Sequence, residues 1–419
     1  DTIRGRQLLI VLDNFEHVTA AAHVVSDLLH ACPRLKILVT SRALLRLSGE
    51  YGVPVSPLSL MSRGAQRAPE ESRSREVCVL SSTARLLASS TSDAVRLFCE
   101  RAIAVRPGFS LTERNAAAVG EICRRLDGLP LAIELAAARI RLLSPDELLA
   151  RLDPRLPMLR GGPVDQPDRL RTMRGAIGWS LDLLGPDERR LFAHLAVFRG
   201  GFSLAAAEAV FEGTRNGERG AEWGPFPVPS VLDGIASLVD QNLVQSRPGQ
   251  DGEARFWMLE TIGEVARQEL ESSGQSAAIR DRHAAFFVDL AERAHEDFWG
   301  PRQGIWLNQL ETDHDNLRAA LSWLSDSGQM EPLVRLAGAL GSFWLYRGHA
   351  NEGRSTLERV LARADPNDVA PATLARALVR LATLLAEQGV FDRADDLLER
   401  ARVIRLELGD REGLGDVLS

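Results

Sequence analysis

The sequence predicts a multidomain, mainly α-helical protein that opens with a small α/β module. Three observations predict this fold: two short apolar runs flank a helical segment near the start, helical periodicity dominates from Asp93 onward, and the C-terminal third repeats a helix-pair pattern. With 419 residues, of which 45% are hydrophobic and 26% charged, the chain can build roughly three domains with separate cores. Globular rather than disordered structure is therefore expected.

Composition narrows the function classes. The formal net charge of −7 argues against a surface that is one continuous nucleic-acid or membrane footprint. The cysteines lie far apart without C-x-x-C pairs or a partner histidine cluster, so we expect no metal or redox site at them. No apolar run reaches the roughly 18–20 residues that cross a bilayer. We expect a protein of the reducing cytoplasm without a membrane partner.

The α/β module is predicted from two apolar runs. Residues 7–12 and 36–40 have the pattern of buried parallel strands, and the segment between them has helical spacing. In a strand–helix–strand unit the functional groups lie at the carboxyl ends of the strands. Asp13 and Arg42 both fall at that edge. We therefore interpret residues 1–60 as the C-terminal part of a nucleotide-binding α/β domain.

The first strand ends in the Walker B pattern, an apolar run followed by an acid. In P-loop ATPases this acid, here Asp13, orients Mg²⁺, while a G-x-x-x-x-G-K-[ST] loop holds the phosphates. That loop is absent from the 419 residues. We expect the chain to be the downstream part of a larger protein, and its start at Asp1 rather than a methionine agrees. A naturally degenerate protein, or a plain strand followed by a turn, stays an alternative.

A second polar group follows the second strand. Thr40, Ser41 and Arg42 stand where a sensor would detect a γ-phosphate, because the planar guanidinium matches phosphate oxygens. The alternative is a surface arginine that caps a strand end. Because Arg42 and Asp13 are expected at the same edge of the sheet, we favour the sensor role for Arg42.

A helical lid is predicted over residues 93–160, after a flexible insertion at 61–92 that is rich in serine and arginine. The lid contains a turn at Gly128 and Leu129, and Pro130 suits the first turn of the helix that follows. Pro130 could contact an adenine ring and position the lid over a nucleotide. The turn could equally be no more than a helix start.

The remaining chain predicts two further domains. Residues 168–275 contain helices followed by strands at 243–246 and 254–259, which is the winged-helix pattern. Residues 280–419 are helical throughout. There Gly348 and Gly389 each mark an inter-helix turn, with a small residue five positions later, and this predicts an α-solenoid of tetratricopeptide-like repeats.

The motifs together resemble a known family. The segments LDNFEHV at 12–18, ILVTSR at 37–42 and GLPLAIELAAAR at 128–139 resemble, in order, the NB-ARC type of signal-transduction ATPase, the STAND class. The segments at 231–244 and 256–270, followed by RHAAFF and the repeats, resemble bacterial LuxR-type and AfsR-like transcriptional regulators.

The resemblance implies a nucleotide-gated switch. In such a switch ADP holds the modules closed, an inducer or protein partner acts on the repeats, and ATP exchange permits self-association. Transcription is then controlled through a DNA-binding output domain, which would lie outside this chain. Carried onto this sequence, the resemblance makes Asp13 the Mg²⁺-orienting acid, Arg42 the γ-phosphate sensor and Pro130 the adenine contact. The implied nucleotide-binding set is Asp13, Asn14, Arg42, Gly128, Leu129 and Pro130.

The chain departs from the family pattern in three ways. The P-loop is absent, Asn14 replaces a second acid, and Leu259 stands where a related Met-His-Asp motif has the histidine that contacts the β-phosphate. These departures imply at most a slow ATPase, with this chain alone inactive.

Two other functions stay open. The repeats could form a nucleotide-independent scaffold for protein–protein interaction. The winged helix could bind DNA directly, although that segment has no dense Arg/Lys recognition helix.

Overall fold

The chain is mainly helical and divides into two compact units. One unit comprises Asp1–Ala193, Val228–Gln245 and Met258–Gln268, and the other comprises His194–Pro227, Ser246–Trp257 and Glu269–Ser419. The structure, a computed structural model, describes residues 3–41, 44–60, 92–162, 167, 171–217, 231–249, 252–365, 367–411 and 413–414. The predicted insertion at 61–92 lies outside these ranges apart from Ser92. Arg42 also lies outside them.

The strands and helices follow one another in this order: β1 (Leu8–Leu12), α1 (Ala22–Ala31), β2 (Leu35–Val39), α2 (Asp93–Val105), α3 (Glu113–Arg125), α4 (Pro130–Ala137), α5 (Pro145–Ala150), α6 (Met173–Leu181), α7 (Pro186–His194), β3 (Phe202–Ser203), α8 (Leu204–Gly217), α9 (Val231–Asp240), β4 (Gln245–Pro248), β5 (Ala254–Trp257), α10 (Glu260–Ser272), α11 (Ser276–Glu296), α12 (Gln303–Thr312), α13 (His314–Asp326), α14 (Met330–Ala339), α15 (Gly341–Tyr346), α16 (Ala350–Arg363), α17 (Pro371–Glu387) and α18 (Phe391–Glu407). None of the helices in the described ranges has the length and apolar character needed to cross a membrane.

The first unit opens with the predicted strand–helix–strand arrangement. β1 and β2 pair in parallel, with Leu8 opposite Leu35, which confirms the prediction. One face of this sheet packs on Phe15, Ala22 and Val25, because α1 crosses it. The other face is open, and its apolar side chains are more than half exposed: Leu9 62%, Val11 58% and Leu38 56%.

The helices after the sheet begin where the local chemistry dictates. Ser92 caps α2 by accepting a hydrogen bond from the backbone N–H of Val95 at 3.4 Å. Pro130 is the first residue of α4, as predicted, because its missing N–H costs nothing there. Ser144 and Glu147 form a reciprocal capping box at the start of α5. These residues fix the N-terminal ends of α2, α4 and α5.

The strands at the predicted winged helix differ in detail from the prediction. β4 starts at Gln245, two residues later than expected, because Leu243 and Val244 are buried in a turn and donate their N–H groups to Leu238 O at 2.9 and 3.2 Å. β5 ends at Trp257. The two strands belong to a three-stranded sheet in the order β3-β5-β4.

The second unit has an aromatic core, and hydrogen bonds join the loop beside this core to α13. The rings of Phe198, Phe202 and His283 pack at centroid distances of 4.8 and 5.3 Å. Asn316 on α13 donates to Gly201 O at 2.7 Å and accepts from the N–H of Arg199 at 2.7 Å. These bonds satisfy buried polar groups and so hold α13 against the loop before β3.

The repeat region stacks consecutive helices, α16 on α17 and α17 on α18. Gly348 and Gly389 lie at inter-helix turns with φ of +78° and +77°, a conformation that glycine adopts without strain. Gly353, five residues after the first turn, lies so close to the buried Trp344 that an added Cβ would come within 2.7 Å of its ring. The small residue of the repeat pattern is therefore required by packing.

Candidate functional site

Asp13 is positioned at the carboxyl edge of the parallel sheet. The hydroxyl of Thr40, just after β2, donates to Asp13 Oδ1, and the N–H of Asn14 donates to the same hydroxyl at 3.1 Å. Asn14 has a φ of +57°, which asparagine tolerates better than most residues. Asp13 and Asn14 are exposed. The Asn14 side-chain amide donates to Asp13 Oδ2 at 3.4 Å, so the edge presents a carboxylate that Thr40 and Asn14 orient.

The second predicted group at this edge is only partly described. Ser41 is half-buried and lines a cavity, whereas Arg42 lies outside the described residues. The parallel register places the residues that follow β1 and β2 side by side. The role of Arg42 as a phosphate sensor stays a prediction.

Gly128 has a steric role that the sequence pattern does not reveal. Its φ is +66°, and a Cβ there would lie 2.4 Å from the carbonyl oxygen of Leu58. The Leu58 N–H donates to Gly128 O at 2.9 Å. Since the two backbones touch, only glycine fits. The segment after β2 is thereby fastened to the turn that carries Leu129 and Pro130.

A cavity of about 720 Å³ lies beside this turn. Its lining brings together Ser41, Leu129, Pro130 and Leu259, which sequence analysis had placed in three separate motifs. The volume lies within the roughly 300–1,000 Å³ of ligand pockets in proteins. The lining further includes Met173, Ile177, Val239, Asn242 and Gln245. Of the predicted site residues, Asp13, Asn14 and Gly128 are not among the described lining residues.

The cavity walls are mainly apolar, with polar groups at particular points. Met173 and Ile177 of α6 are buried, and Leu259 adds a further apolar wall. Asp240 pairs with Arg46 at 2.7 Å at one side. The leucine side chain has no hydrogen-bond donor, so the side chain at residue 259 can offer a ligand only apolar surface.

The turn before Pro130 is joined to the start of α10 by a half-buried carboxylate. Asp127 Oδ2 accepts from both the N–H and the hydroxyl of Thr261 at 3.3 Å. Thr261 is fully buried, and burial raises the pKa of Asp127 above its ordinary value. Leu129 and Leu259 both line the cavity, and they lie two residues along the chain from Asp127 and Thr261, respectively. The contact between Asp127 and Thr261 therefore helps to hold these two leucines in position.

A second contact joins α10 to the segment that follows α5. Glu264 is buried and accepts from the N–H groups of Arg155 and Leu156 at 2.9 and 3.2 Å. The Arg155 guanidinium donates to Glu260 at 3.2 Å. Sequence reasoning missed Asp127, Arg155 and Glu264, since each partner lies more than 100 residues away along the chain. The only local signal was the acid directly before the Gly-Leu-Pro turn.

The chain is similar to mycobacterial proteins, some of which are described as regulators. A Mycobacterium tuberculosis protein named "Putative HTH-type transcriptional regulator" is 38% identical over 98% of this chain, and a Mycobacterium bovis protein of the same description matches equally. An uncharacterized Mycobacterium tuberculosis protein is 37% identical over 67% of the chain and 62% of its own length. The chain spans 43% of the length of the regulators it matches. No protein-family model matches the chain.

Among solved structures, one is a Signal Transduction ATPase with Numerous Domains from Pyrococcus horikoshii that has a tetratricopeptide repeat sensor. It is 12% identical, with a TM-score of 0.32, over 98% of this chain and 52% of that protein.

Proposed function

We propose that this chain is the regulatory part of a transcriptional regulator that ATP and ADP switch between two states. The observation that carries the proposal is the cavity that gathers Ser41, the Leu129–Pro130 turn and Leu259. The names of the mycobacterial relatives support transcription control as the output. The DNA-binding domain would lie outside this chain.

The proposed binding mode divides the nucleotide between two surfaces. The adenine contacts Leu129, Pro130 and Ile177, because an apolar wall suits a flat ring system. The phosphates lie toward the sheet edge, where Asp13 orients Mg²⁺ and Arg42 contacts the γ-phosphate. The exposed apolar face of the β1–β2 sheet supports the idea that a larger α/β module surrounds the nucleotide, because parallel sheets are normally covered on both faces.

The proposed switch passes through the contacts of α10. A ligand that displaces Pro130 acts on the turn held by Asp127, and Asp127 holds Thr261 at the start of α10. In this proposal the 168–275 segment is a winged helix and residues 280–419 are tetratricopeptide-like repeats that receive an inducer or protein partner. The ATP-bound state self-associates.

The first test is a titration of the 419-residue chain with a fluorescent ADP analogue in the presence of Mg²⁺. We expect saturable binding that unlabelled ADP displaces. Ile177→Trp fills the cavity and should weaken binding at least tenfold, whereas Leu142→Trp, at a residue that is 73% exposed, should leave it unchanged. Absence of displaceable binding by the wild-type chain would contradict the proposal and favour the nucleotide-independent scaffold.

The second test restores the missing donor. Leu259→His places an imidazole at the cavity wall, so ADP should bind more tightly while adenosine, which has no phosphate, should not. Leu142→His is the matched control. Equal gains for ADP and adenosine would place residue 259 away from the phosphates. Hydrolysis by the chain should be slow or undetectable, because Asn14 cannot act as a base.

A further inference from the structure

Two short motifs meet in the second unit, whereas the candidate nucleotide site belongs to the first unit. Glu311 and His314 lie three residues apart at the junction of α12 and α13, and His349 and Glu352 lie three residues apart at the start of α16. The order is Glu-x-x-His in the first motif and His-x-x-Glu in the second. The stacking of successive helix pairs brings the two motifs face to face.

The donor atoms of three of these residues converge. Glu311, His314 and His349 each offer one ligand atom, and these atoms lie within 4.8 Å of one another. His349 Nε2 is 3.1 Å from Glu311 Oε2, and the two imidazole rings are 4.4 Å apart. Donors around a tetrahedral zinc ion lie about 3.3–3.4 Å apart, given bond lengths near 2.0–2.1 Å. The cluster is therefore close to coordination distance.

His314 supplies the second, independent observation. His314 is only 8% exposed, and its Nε2 atom is buried without a hydrogen-bond partner in the described part of the chain. Glu352 lies 3.3 Å from the same nitrogen and is held by Arg318. A buried ring nitrogen that makes no hydrogen bond, with carboxylate and imidazole groups beside it, points to a ligand.

We propose that Glu311, His314 and His349 bind a divalent transition metal, with zinc as the ion that their chemistry favours. Two imidazole nitrogens and one carboxylate suit zinc, whereas magnesium and calcium prefer sites made of oxygen ligands. Water takes the fourth position, and Glu352 orients the site from beside His314. The bound ion joins the α12–α13 junction to the start of α16, and so fastens two consecutive helix pairs.

This site goes beyond the proposed nucleotide switch and does not depend on it. Since an ion that binds only the folded state stabilises it by mass action, zinc would raise the stability of the repeat region. It would make that region responsive to metal availability.

The test is calorimetric titration of zinc into the metal-free 419-residue chain, with His349→Gln and Glu311→Gln as site variants and His30→Gln as the control. His349 and Glu311 are 26% and 43% exposed, so both substitutions spare the core. His30 is exposed on α1 in the other unit. We expect one zinc per chain, affinity reduced at least tenfold by each site variant, and no change in the control. Thermal unfolding should shift upward with zinc only in the wild type and His30→Gln.

Two results would overturn the proposal. One is a titration without a stoichiometric site in the wild type. The other is zinc binding with equal affinity in the wild type and both site variants, which would place the ion elsewhere. Cobalt substitution checks the geometry, since a tetrahedral cobalt site gives intense visible absorption that His349→Gln should remove. In the calorimetric titration, magnesium should produce no binding heat.

Discussion

The two units differ in how their apolar side chains are packed. In the first unit, Leu9, Val11 and Leu38 share an open sheet face, and a cavity of about 720 Å³ lies next to the Leu129–Pro130 turn. In the second unit, the repeat helices enclose Trp344, which is only 1% exposed, although Phe391 at the start of α18 is 64% exposed. The contrast is therefore between an open strand face with a cavity in one unit and an enclosed aromatic core in the other.

This difference indicates where a ligand can act on stability. Full burial of a large aliphatic side chain contributes about 1.5–3 kcal/mol, so the first unit leaves stabilisation unrealised. Segments of low local stability are the ones that ligand binding and partner docking can reorganise. The core around Trp344, by contrast, is already enclosed. Four measurements test this difference between the two units.

Trp344→Ala should have the largest effect. Removal of this buried ring next to Gly353 leaves a cavity, and we expect the free energy of unfolding to fall by about 3–5 kcal/mol. Urea unfolding followed by circular dichroism measures it. Trp299→Ala, at a ring that is 73% exposed, is the control and should change stability by about 0.5 kcal/mol or less. Similar losses in both would mean that the repeat core is looser than its packing indicates.

Gly128→Ala should cost about 2–3 kcal/mol, because it combines a left-handed backbone with a clash against Leu58 O. Gly49→Ala is the matched control. Its φ is +83° and the space around it is open, so only the backbone strain of about 1 kcal/mol applies. Chemical unfolding of the two variants separates strain from contact. Equal losses would show that the Leu58 segment is not fastened to the turn.

His283 should make the stability of the second unit depend on pH. Burial lowers its pKa from 6.5 to about 4, so the folded state holds the neutral ring. The stability contributed is present above pH 6.5 and is lost as the pH falls toward 4, about 2 kcal/mol between pH 7 and pH 5. His283→Gln cannot titrate, so its urea unfolding should lose less stability over that range. His295, whose pKa burial also lowers to about 4, remains in both proteins.

Leu38→Thr should have the smallest effect. Leu38 is 56% exposed on the open sheet face, and threonine keeps the strand propensity, so we expect a change of about 0.5 kcal/mol or less. Ile37→Thr on the covered face is the comparison, and it should cost more. A large loss for Leu38→Thr in urea unfolding would show that this face is covered in solution.

Local patterns were sufficient to predict much of the fold. The two apolar runs predicted the parallel pair of β1 and β2, and Pro130 marked the first turn of α4, because strand burial and helix entry depend on neighbouring residues. β4 starts two residues later than the sequence predicts, since the burial of Val244 depends on its contact with α9. The repeat glycines were found because an inter-helix turn needs a left-handed residue.

The site was less predictable from sequence because its parts meet only through tertiary packing. Asp13 and the Leu129–Pro130 turn were found by motif, whereas the bond between Asp127 and Thr261 joins residues 134 positions apart. The pairing of His314 with His349 likewise depends on how successive helix pairs stack. Each motif is visible in the sequence, but nothing local indicates that the two converge.

The contact between Gly128 and Leu58 has a consequence for how this chain can change during evolution. A methyl group at residue 128 cannot be accommodated without moving a backbone, so the fold requires this glycine whatever the turn binds. Leu259 lies at the cavity wall and takes no part in that contact. Under the proposed function, a sequence can therefore keep the glycine of the turn after losing a phosphate-binding side chain at residue 259, so the glycine alone is a poor indicator of nucleotide binding.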